Sequence, residues 1–293
     1  MPELPEVEVL VRHLRPLVTG KIIRQVTVCR ERVISPTPRR QLRQRLSGAR
    51  ILGLERRGKY LVFELRRPGE KKSFILLGHL GMTGRMFVVK HGAPLPKHTA
   101  VWLDFGRERF VYEDPRYFGR MTLDNSALGL LGPEPLSDEF SPARFATALR
   151  RSGQPIKVKL LDQTVVAGVG NIYASEALFR AGISPRLAAR RLSEAQVRRL
   201  RQTVRAVLRQ AIRCGSTIPL SFAQPGADGL FYFGRTPGTP DFYEERLLVY
   251  DRAGKPCPRC RTLIKRIVQA ARSTFFCPGC QGTPYNHAGA KSA

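Results

Sequence analysis

The segment from residue 21 to residue 124 alternates short apolar runs with turn signals, and this pattern constrains the fold more than any other feature of the chain. The runs are rich in β-branched and aromatic residues, and turn dipeptides such as Arg57-Gly58 separate them. They predict eight strands, at 21–29, 49–56, 60–65, 73–77, 85–89, 100–105, 108–113 and 120–124. Strands at this spacing favour a two-sheet β-sandwich.

Helical patterns lie on both sides of this segment. Residues 5–18 place Val7, Leu10 and Leu14 at helical spacing, which predicts an amphipathic helix ending before Gly20. A second helix is expected to begin after Ser193, whose hydroxyl can cap it. On its outer side we expect a stripe of arginines at four-residue spacing, formed by Arg201, Arg205, Arg209 and Arg213.

The predicted fold class is α+β. A two-sheet β-sandwich with an N-terminal helix precedes a helical domain that ends in a cysteine-rich β-hairpin. The predicted boundaries are 1–128 for the sandwich domain, 129–142 for a linker, 143–245 for the helical domain with a long loop at 216–242, 246–281 for the hairpin, and 282–293 for a flexible tail.

The charge balance is strongly basic, because 50 Lys and Arg residues oppose 23 Asp and Glu residues and leave a net charge of +27. Such an excess costs self-repulsion in the folded state, and a polyanionic partner is the usual reason for it. Nucleic acid is therefore the expected partner, with a solvated basic surface as the alternative. No apolar run approaches the roughly 20 residues of a membrane span, and the acidic start does not resemble a secretory signal. We expect a cytosolic protein without a membrane partner.

Two cysteine pairs near the C-terminus indicate a metal site. Cys257 and Cys260 are separated by two residues, as are Cys277 and Cys280, and sixteen residues lie between the pairs. This spacing is typical of tetrahedral zinc bound by four thiolates at the ends of a β-hairpin, with disulfides as the alternative. Four protein ligands leave no open position for water, so such a zinc ion would be structural.

The N-terminus carries a candidate nucleophile. Removal of the initiator methionine would expose the secondary amine of Pro2, whose ordinary pKa of about 7.7 to 8.0 lies below the value of about 10.4 for lysine. An unprotonated amine can attack the anomeric carbon of a sugar and form an iminium, and Glu3 can supply a proton. Proline at position 2 is common, so this feature alone does not establish an active site.

Five motifs, taken together, support an active site at the N-terminus. They are Met1-Pro-Glu-Leu-Pro-Glu-Val-Glu8, Gly78-His-Leu-Gly-Met-Thr-Gly84, Asp114-Pro-Arg-Tyr-Phe-Gly119, Gly168-Val-Gly-Asn-Ile-Tyr-Ala174 and the four-cysteine hairpin. In this order, over residues 1–281, they resemble bacterial formamidopyrimidine-DNA glycosylases, the Fpg/MutM family. That family excises oxidised purines and cuts the strand at the resulting abasic site. The resemblance implies a bifunctional DNA glycosylase and AP lyase of base excision repair.

The resemblance also implies catalytic roles for individual residues. Pro2 corresponds to the Schiff-base nucleophile and Glu3 to the acid acting at the deoxyribose, with Glu6 supporting them. Lys59 resembles the family's proton donor for β-elimination. Arg272 resembles the arginine assigned to δ-elimination, at the tip of a zinc hairpin formed by the four cysteines.

Further residues are implied in DNA binding. Met82, Arg116 and Phe118 match three residues that the family inserts into the duplex where the damaged nucleotide is flipped out. Contacts with the DNA backbone are expected from His98, Arg151, Lys157 and Asn171. The middle of the chain should hold the family's helix, two turns and helix. The implied partner is double-stranded DNA with oxidised bases or abasic sites, bound by a monomer associated with the bacterial nucleoid.

The chain departs from the family pattern at three places. Tyr117 stands where a second arginine is common, Cys214 replaces a frequent glycine, and the segment after Ser216 does not resemble the usual lesion-covering loop. These departures leave the lesion preference open. The alternatives are an endonuclease VIII-like glycosylase for oxidised pyrimidines and a non-enzymatic zinc-ribbon protein that binds nucleic acid.

Overall fold

The computed structural model describes residues 2–214 and 247–282. These residues form two compact units, the first comprising residues 2–130 and the second residues 131–214 together with 247–282. The loop predicted at 216–242 and residues 283–293 of the predicted tail lie outside the described residues. Among the described helices, none has the length and apolar character needed to cross a membrane.

The first unit begins with helix α1 (Leu4–Val18), one residue earlier than the sequence pattern predicts. Its apolar face, which includes Val7, Leu10 and Leu14, is fully buried. Two short helical segments follow the first strand, namely a 3₁₀ helix (Glu31–Ile34) and helix α2 (Arg39–Leu46), and helix α3 (Ser126–Gly129) ends the unit.

Eight strands form two antiparallel four-stranded sheets, as the sequence predicts. One sheet has the order β1-β6-β7-β5 and the other β2-β3-β4-β8. The strands are β1 (Gln25–Val28), β2 (Arg50–Arg57), β3 (Tyr60–Arg66), β4 (Phe74–His79), β5 (Arg85–Lys90), β6 (Thr99–Asp104), β7 (Glu108–Glu113) and β8 (Arg120–Thr122).

The two sheets share one hydrophobic core. Phe63 on β3 and Phe110 on β7 belong to different sheets, and their rings meet edge to face at 5.6 Å. Both side chains are buried, and the buried face of α1 joins the same cluster. Inward-facing residues alternate with outward-facing ones on β3, so the period-2 pattern of the sequence is the pattern of burial.

The second unit consists of helices and the hairpin. Its helices are α4 (Pro142–Arg150), α5 (Ile156–Leu160), α6 (Asn171–Ala181), a 3₁₀ turn (Ala189–Arg191) and α7 (Glu194–Arg213). The capping box predicted at the start of α7 is present, because the Ser193 hydroxyl accepts from Gln196 N–H and the Gln196 side chain accepts from Ser193 N–H.

The predicted arginine stripe on α7 is only partly on the outer side. Arg201 donates to the carbonyl of Phe140, and Arg205 donates to the carbonyl of Ser137 at 2.6 Å. Both side chains are half-buried, while Arg209 and Arg213 are exposed. The prediction is therefore wrong for Arg201 and Arg205, because they satisfy carbonyl groups in the segment that precedes α4.

Two antiparallel strands, β9 (Lys265–Gln269) and β10 (Arg272–Phe276), form the C-terminal hairpin. Ala270 and Ala271 form its turn, and both have positive φ angles, of 46° and 57°. Two positive φ angles are typical of the tight type I′ turn, which matches the twist of the adjoining strands. The turn places Arg272 at the exposed tip of the hairpin.

Candidate active site and metal centre

The start of α1 holds the predicted catalytic acid in a buried position. Glu3 and Glu6 are only 1% and 2% exposed, and Glu6 Oε2 accepts a hydrogen bond from the Glu3 backbone N–H at 2.8 Å. The Glu6 carboxylate therefore satisfies a backbone donor that the first turn of a helix leaves without an intrahelical partner. Pro2, next to Glu3, is half-buried. This arrangement fixes the backbone on which Pro2 and Glu3 sit.

A network of charged side chains connects α1 with the turn that carries Lys59. Arg56 Nε donates to Glu8 Oε2 at 2.8 Å, and Arg56 Nη1 donates to the carbonyl of Gly58 at 3.2 Å. Burial opposes ionisation of Glu8, but hydrogen bonds from Arg56 and Arg12 hold its pKa below the ordinary value of 4.5. Lys59 follows Gly58 in the β2–β3 turn and is buried. The Lys59 turn is thus tied to the helix that begins beside Pro2.

Asp114 holds together the two loops that carry the predicted wedge residues. Its fully buried carboxylate accepts from Thr83 Oγ1 at 2.7 Å and from Gly119 N at 2.8 Å. The loops are also in close contact, because a Cβ at Gly81 would lie 2.5 Å from Gly119 N. Met82 and Phe118 project from these loops and are 43% and 45% exposed.

Charged side chains surround the Phe118 ring. The guanidinium carbon of Arg116 lies 5.1 Å from the ring centroid, and that of Arg32 lies at 5.6 Å. Both distances are within the range of cation–π attraction. His98 is close by in the backbone, because its carbonyl accepts from Asp114 N–H at 3.1 Å. The structure therefore brings Met82, Phe118 and Arg116 to one edge of the first unit, with the His98 backbone joined to Asp114 beneath them.

His79, at the end of β4, is held neutral beside the same loops. Its Nδ1 accepts from Gly81 N–H at 3.0 Å. Burial, together with the charges of Lys59 and Arg120, lowers the pKa of His79 from 6.5 to about 4. A neutral imidazole can accept this hydrogen bond at Nδ1, whereas an imidazolium cannot.

The second unit contains the predicted helix, two turns and helix. The two turns between α5 and α6 are organised by Gln163, whose Nε2 donates to the carbonyls of Leu161 and Val169 at 2.9 Å. Gln163 Oε1 accepts from Gly168 N–H at 2.8 Å. A single side chain therefore fixes the approach to Asn171, the first residue of α6.

Lys157 and Asn171 meet in a buried polar cluster. Lys157 is fully buried, and its Nζ donates to Asn171 Oδ1 at 2.5 Å, to Thr274 Oγ1 at 2.7 Å and to Ser273 O at 2.9 Å. Asn171 Nδ2 donates to the same Ser273 carbonyl at 2.9 Å. An ammonium has three donors, and three protein acceptors are bound to this one. In this structure the three acceptors of the Lys157 ammonium are protein atoms, and the contact with a DNA phosphate stays a prediction.

The remaining predicted residues of the second unit lie on its surface. Arg272 is exposed at the hairpin tip, and Arg151 is exposed directly after α4. The segment that leads into the hairpin is joined to α6 through a buried carboxylate, because Glu176 Oε1 accepts from Val249 N–H and Tyr250 N–H at 2.9 Å. Burial raises the pKa of Glu176, although these backbone hydrogen bonds oppose the rise.

The four predicted zinc ligands converge. The sulfur atoms of Cys257, Cys260, Cys277 and Cys280 all lie within 4.8 Å of one another. The Cys257 and Cys280 sulfurs are 3.8 Å apart, and the Cys260 and Cys277 sulfurs are 3.4 Å apart. Tetrahedral ligands at about 2.3 Å from a zinc ion would be about 3.8 Å apart, so the cluster fits this metal. Hydrogen bonds from Thr262 lower the pKa of Cys260 to about 6, whereas burial raises the pKa of Cys277 and of Cys280.

Comparison with known proteins decides what these two units are. The family model of the formamidopyrimidine-DNA glycosylase N-terminal domain matches residues 1–121, and the H2TH domain model of the same enzyme matches residues 131–221. A zinc-finger model shared with isoleucyl-tRNA synthetase matches residues 254–282. The chain belongs to the formamidopyrimidine-DNA glycosylase family. It is an enzyme, a DNA glycosylase with AP lyase activity, and the four cysteines hold one structural zinc ion.

Individual relatives of this glycosylase support the same conclusion. The formamidopyrimidine-DNA glycosylase of Thermus thermophilus is 43% identical, covering 96% of this chain and 99% of that protein. The Lactococcus lactis Fpg in complex with abasic-site DNA has a TM-score of 0.84 at 33% identity, covering 96% of this chain and all of that one. MutM in complex with DNA that contains carbocyclic 8-oxo-G has a TM-score of 0.83 at 34% identity, with the same coverage. The predicted fold and the enzymatic function are therefore confirmed, and a non-enzymatic zinc-ribbon protein is excluded.

Sequence reasoning missed several residues that organise the glycosylase. Asp114 lies in one of the five motifs and Glu8 ends another, but the sequence pattern assigned no role to either residue. Arg56 and Gln163 lie outside the motifs. The sequence signal for Asp114 is that it directly follows a predicted strand and begins a loop that ends at Gly119. A buried carboxylate at such a position can accept from several backbone donors.

Proposed function

We propose that Pro2 is the nucleophile of this glycosylase and that Glu3 is its acid. The Pro2 nitrogen forms a bond with the anomeric carbon of the damaged nucleotide, and the bond between that carbon and the base breaks. The electron pair of the broken bond leaves with the base, which takes up the proton lost by the Pro2 nitrogen. The bond between the anomeric carbon and the ring oxygen then breaks, Glu3 supplies the proton that this oxygen takes up, and the Pro2 nitrogen forms an iminium with the carbon. The observation that carries the proposal is the buried Glu3 at the start of α1, fixed by the Glu6 carboxylate beside Pro2.

Two further residues carry the cutting of the strand. Loss of a proton from the carbon next to the iminium expels the 3′ phosphate, and a second elimination expels the 5′ phosphate. We assign proton transfer in the first step to Lys59 and support of the second step to Arg272. Lys59 suits this role because it is buried in a turn tied to α1 through Arg56 and Glu8. Arg272 suits it because it is exposed at a rigid hairpin tip.

The wedge residues fill the duplex when the damaged nucleotide leaves the stack. Met82 and Phe118 are exposed apolar side chains on loops held by Asp114, which is what an inserted wedge requires. Arg116 can donate to the edge of the base that has lost its partner. Backbone contacts fall to His98, Arg151 and Asn171, while Lys157 supports Asn171 from within the protein.

The substrate is duplex DNA with ring-opened purines, for which the matched family is named, or with 8-oxoguanine or abasic sites, which relatives bind in solved structures. The preferred lesion among these depends on the loop at 216–242, outside the described residues. We assign the enzyme to the bacterial cytoplasm, where it works as a monomer on the nucleoid.

An N-terminal extension tests the role of Pro2. A protein with two uncleaved residues before Pro2 should lose covalent trapping by borohydride on duplex DNA with 8-oxoguanine, because an acylated proline nitrogen cannot form an iminium. Binding to the same duplex should remain within about threefold of the unmodified protein. The control is the same extension with a protease site directly before Pro2, which should recover trapping after cleavage. Undiminished trapping by a protein shown to be extended by mass spectrometry would overturn the proposal.

A further inference from the structure

Two short segments of the second unit are joined so that they carry four arginines side by side. The segment after α4 and the 3₁₀ turn before α7 are connected by hydrogen bonds from Arg190 N–H to Ser152 O and from Ala189 N–H to Gln154 O, each at 2.9 Å. An antiparallel bridge between Pro155 and Ala188 continues this pairing. The arginines of this surface, here named the arginine ridge, are Arg150, Arg151, Arg190 and Arg191.

The ridge is exposed and strongly positive. All four side chains are exposed. Arg150 lies 3.8 Å from Glu194, which it shares with Arg198 at 3.5 Å. Within the described residues, no ion pair forms on the side chains of Arg151, Arg190 or Arg191. Of these five arginines only Arg150 and Arg198 pair with a carboxylate in the described part of the chain, and both share Glu194. An excess of positive charge on neighbouring segments costs free energy in the folded protein unless an anionic partner offsets it.

The backbone at the ridge is held in place independently of its side chains. Arg150 lies in the last turn of α4 and Arg151 caps it, where cations are stabilised by the helix dipole. Arg191 N–H donates to Ala188 O at 2.9 Å. Since the hydrogen bonds that align the two segments are all between backbone atoms, replacement of the arginine side chains leaves them intact.

The ridge continues into the part of the glycosylase that carries its proposed phosphate contacts. Ile156 N–H donates to Leu187 O at 2.7 Å, which joins the first residue of α5 to the segment that leads to Arg190. The same short helix contains Lys157, which contacts Asn171 at the start of α6. A row of exposed arginines on a backbone held beside this surface favours the phosphates of the same duplex over an acidic protein.

We propose that the arginine ridge extends the binding surface for duplex DNA from Arg151, already assigned a backbone contact, to Arg190 and Arg191, which grip the phosphate backbone farther from the lesion. The proposal rests on the proposed function, because it extends the same DNA footprint. Its consequence is an affinity that depends on duplex length. A long duplex reaches the ridge, whereas a short duplex centred on the lesion does not.

The experiment compares the unmodified protein with the double variant Arg190→Gln/Arg191→Gln. Affinity is measured across salt for lesion-free duplexes of roughly 12 and roughly 30 base pairs, the shorter being about 40 Å long. On the long duplex, loss of two phosphate contacts should reduce the slope of log K against log salt by about 1.8. Between about 50 and 200 mM salt, the unmodified protein should then lose about 12-fold more affinity than the variant. On the short duplex the two proteins should agree.

Two controls separate the ridge from general charge and from misfolding. The variant Arg40→Gln/Arg66→Gln removes two exposed arginines from the first unit and should not produce a length-dependent change. The variant Arg190→Lys/Arg191→Lys keeps the charge and should restore most of the salt slope. Circular dichroism of each variant shows whether the fold is intact.

Equal slopes for the unmodified protein and the glutamine variant on the long duplex would overturn the proposal. Equal slopes together with lost binding of a polyglutamate probe would show instead that the ridge binds acidic protein. Cleavage of lesion DNA on the short duplex is measured in parallel. Failure of that cleavage with a length-dependent salt effect would reject the proposed function and leave the ridge intact, so the two failures are distinguishable.

Discussion

The guanidinium of Arg56 lies 2.8 Å from the carboxylate of Glu8, and this pair joins strand β2 to helix α1. Both side chains are largely buried, at 11% and 19% exposed. Arg56 also binds the Gly58 carbonyl, next to Lys59. The position of the lysine therefore depends on the pair that joins β2 to α1.

The Arg56–Glu8 pair predicts a positioning effect. In Arg56→Ala, the Lys59 turn loses its connection to α1, and strand cutting at an abasic site should slow by roughly 10- to 100-fold. Affinity for the same DNA should change little. Arg56→Lys should restore only part of the rate, because lysine has a single nitrogen in place of the two guanidinium nitrogens that bind Glu8 and Gly58. The measurement is single-turnover cleavage alongside binding.

The matched control for this experiment is Arg12→Ala. Arg12 is the other partner of Glu8, at 2.7 Å, but it is exposed and does not bind Gly58 in the described structure. Its loss should leave cleavage within about twofold of the unmodified rate. Equal losses in the Arg12 and Arg56 variants would show that the charge of Glu8 matters and that the link to Gly58 does not.

The buried position of Lys157 predicts that its replacement lowers DNA affinity without changing how that affinity depends on salt. Lys157→Met leaves Asn171, Ser273 and Thr274 without a shared donor in a buried cluster, which should destabilise the second unit by about 3 kcal/mol. DNA affinity should fall, but the slope of log K against log salt should stay unchanged because the ammonium binds protein atoms. The measurement is binding across salt together with urea unfolding.

Lys159→Met is the control for the Lys157 variant. Lys159 lies on the same helix and pairs with Asp162 at 2.7 Å, outside the buried cluster. Its loss should cost little stability, as is usual for a partly exposed pair. A fall of about 1 in the salt slope of Lys157→Met would support the direct phosphate contact implied by the family resemblance.

His79 predicts how stability depends on pH. Its pKa is about 4 in the folded protein against an ordinary value of 6.5, so the unfolded chain binds a proton more readily between these values. The stabilisation is complete above pH 6.5 and is lost as the pH falls towards 4, by up to about 3 kcal/mol. In His79→Asn, the amide oxygen can still accept from Gly81 N–H, and the dependence in this window should weaken.

Urea unfolding from pH 4 to pH 7 measures this effect. Some dependence should remain in His79→Asn, because burial also lowers the pKa of His13. Parallel stability curves for the variant and the unmodified protein would contradict the assignment to His79.

The cysteine cluster predicts that the metal supports the hairpin. Cys277→Ser removes a buried ligand, and the hairpin should unfold locally because the binding free energy of a closed four-cysteine site is folding free energy. DNA affinity should fall at least tenfold as Arg272 loses its position. Metal analysis and binding measure the two effects. Cys29→Ser, an exposed cysteine outside the cluster, is the control and should retain both zinc and affinity. Normal DNA affinity in a protein shown to be free of zinc would contradict the prediction.

Much of the architecture was predictable because its causes are local. Alternating burial along β3 and the capping box at Ser193 depend on residues within a few positions of one another, and so does the two-residue spacing inside each cysteine pair. The candidate catalytic residues were predictable for a different reason, since Pro2 and Glu3 lie in a motif that resembles a known family. Their geometry was not, because Glu6 reaches back to the Glu3 backbone only once the helix has formed.

The sequence by itself determined the spacing of apolar residues in each helix and strand, the metal ligands and the family, because these are encoded in the order of residues along the chain. Only the tertiary structure decided which charged residues turn inward. Lys157 binds Ser273, 116 positions away, and Arg205 binds the carbonyl of Ser137, 68 positions away. A cation at a given spacing has the same local pattern whether it meets water, a phosphate or a carbonyl group. The choice depends on which unpaired acceptors the fold brings near it, since a buried acceptor without a donor costs about 1 to 3 kcal/mol.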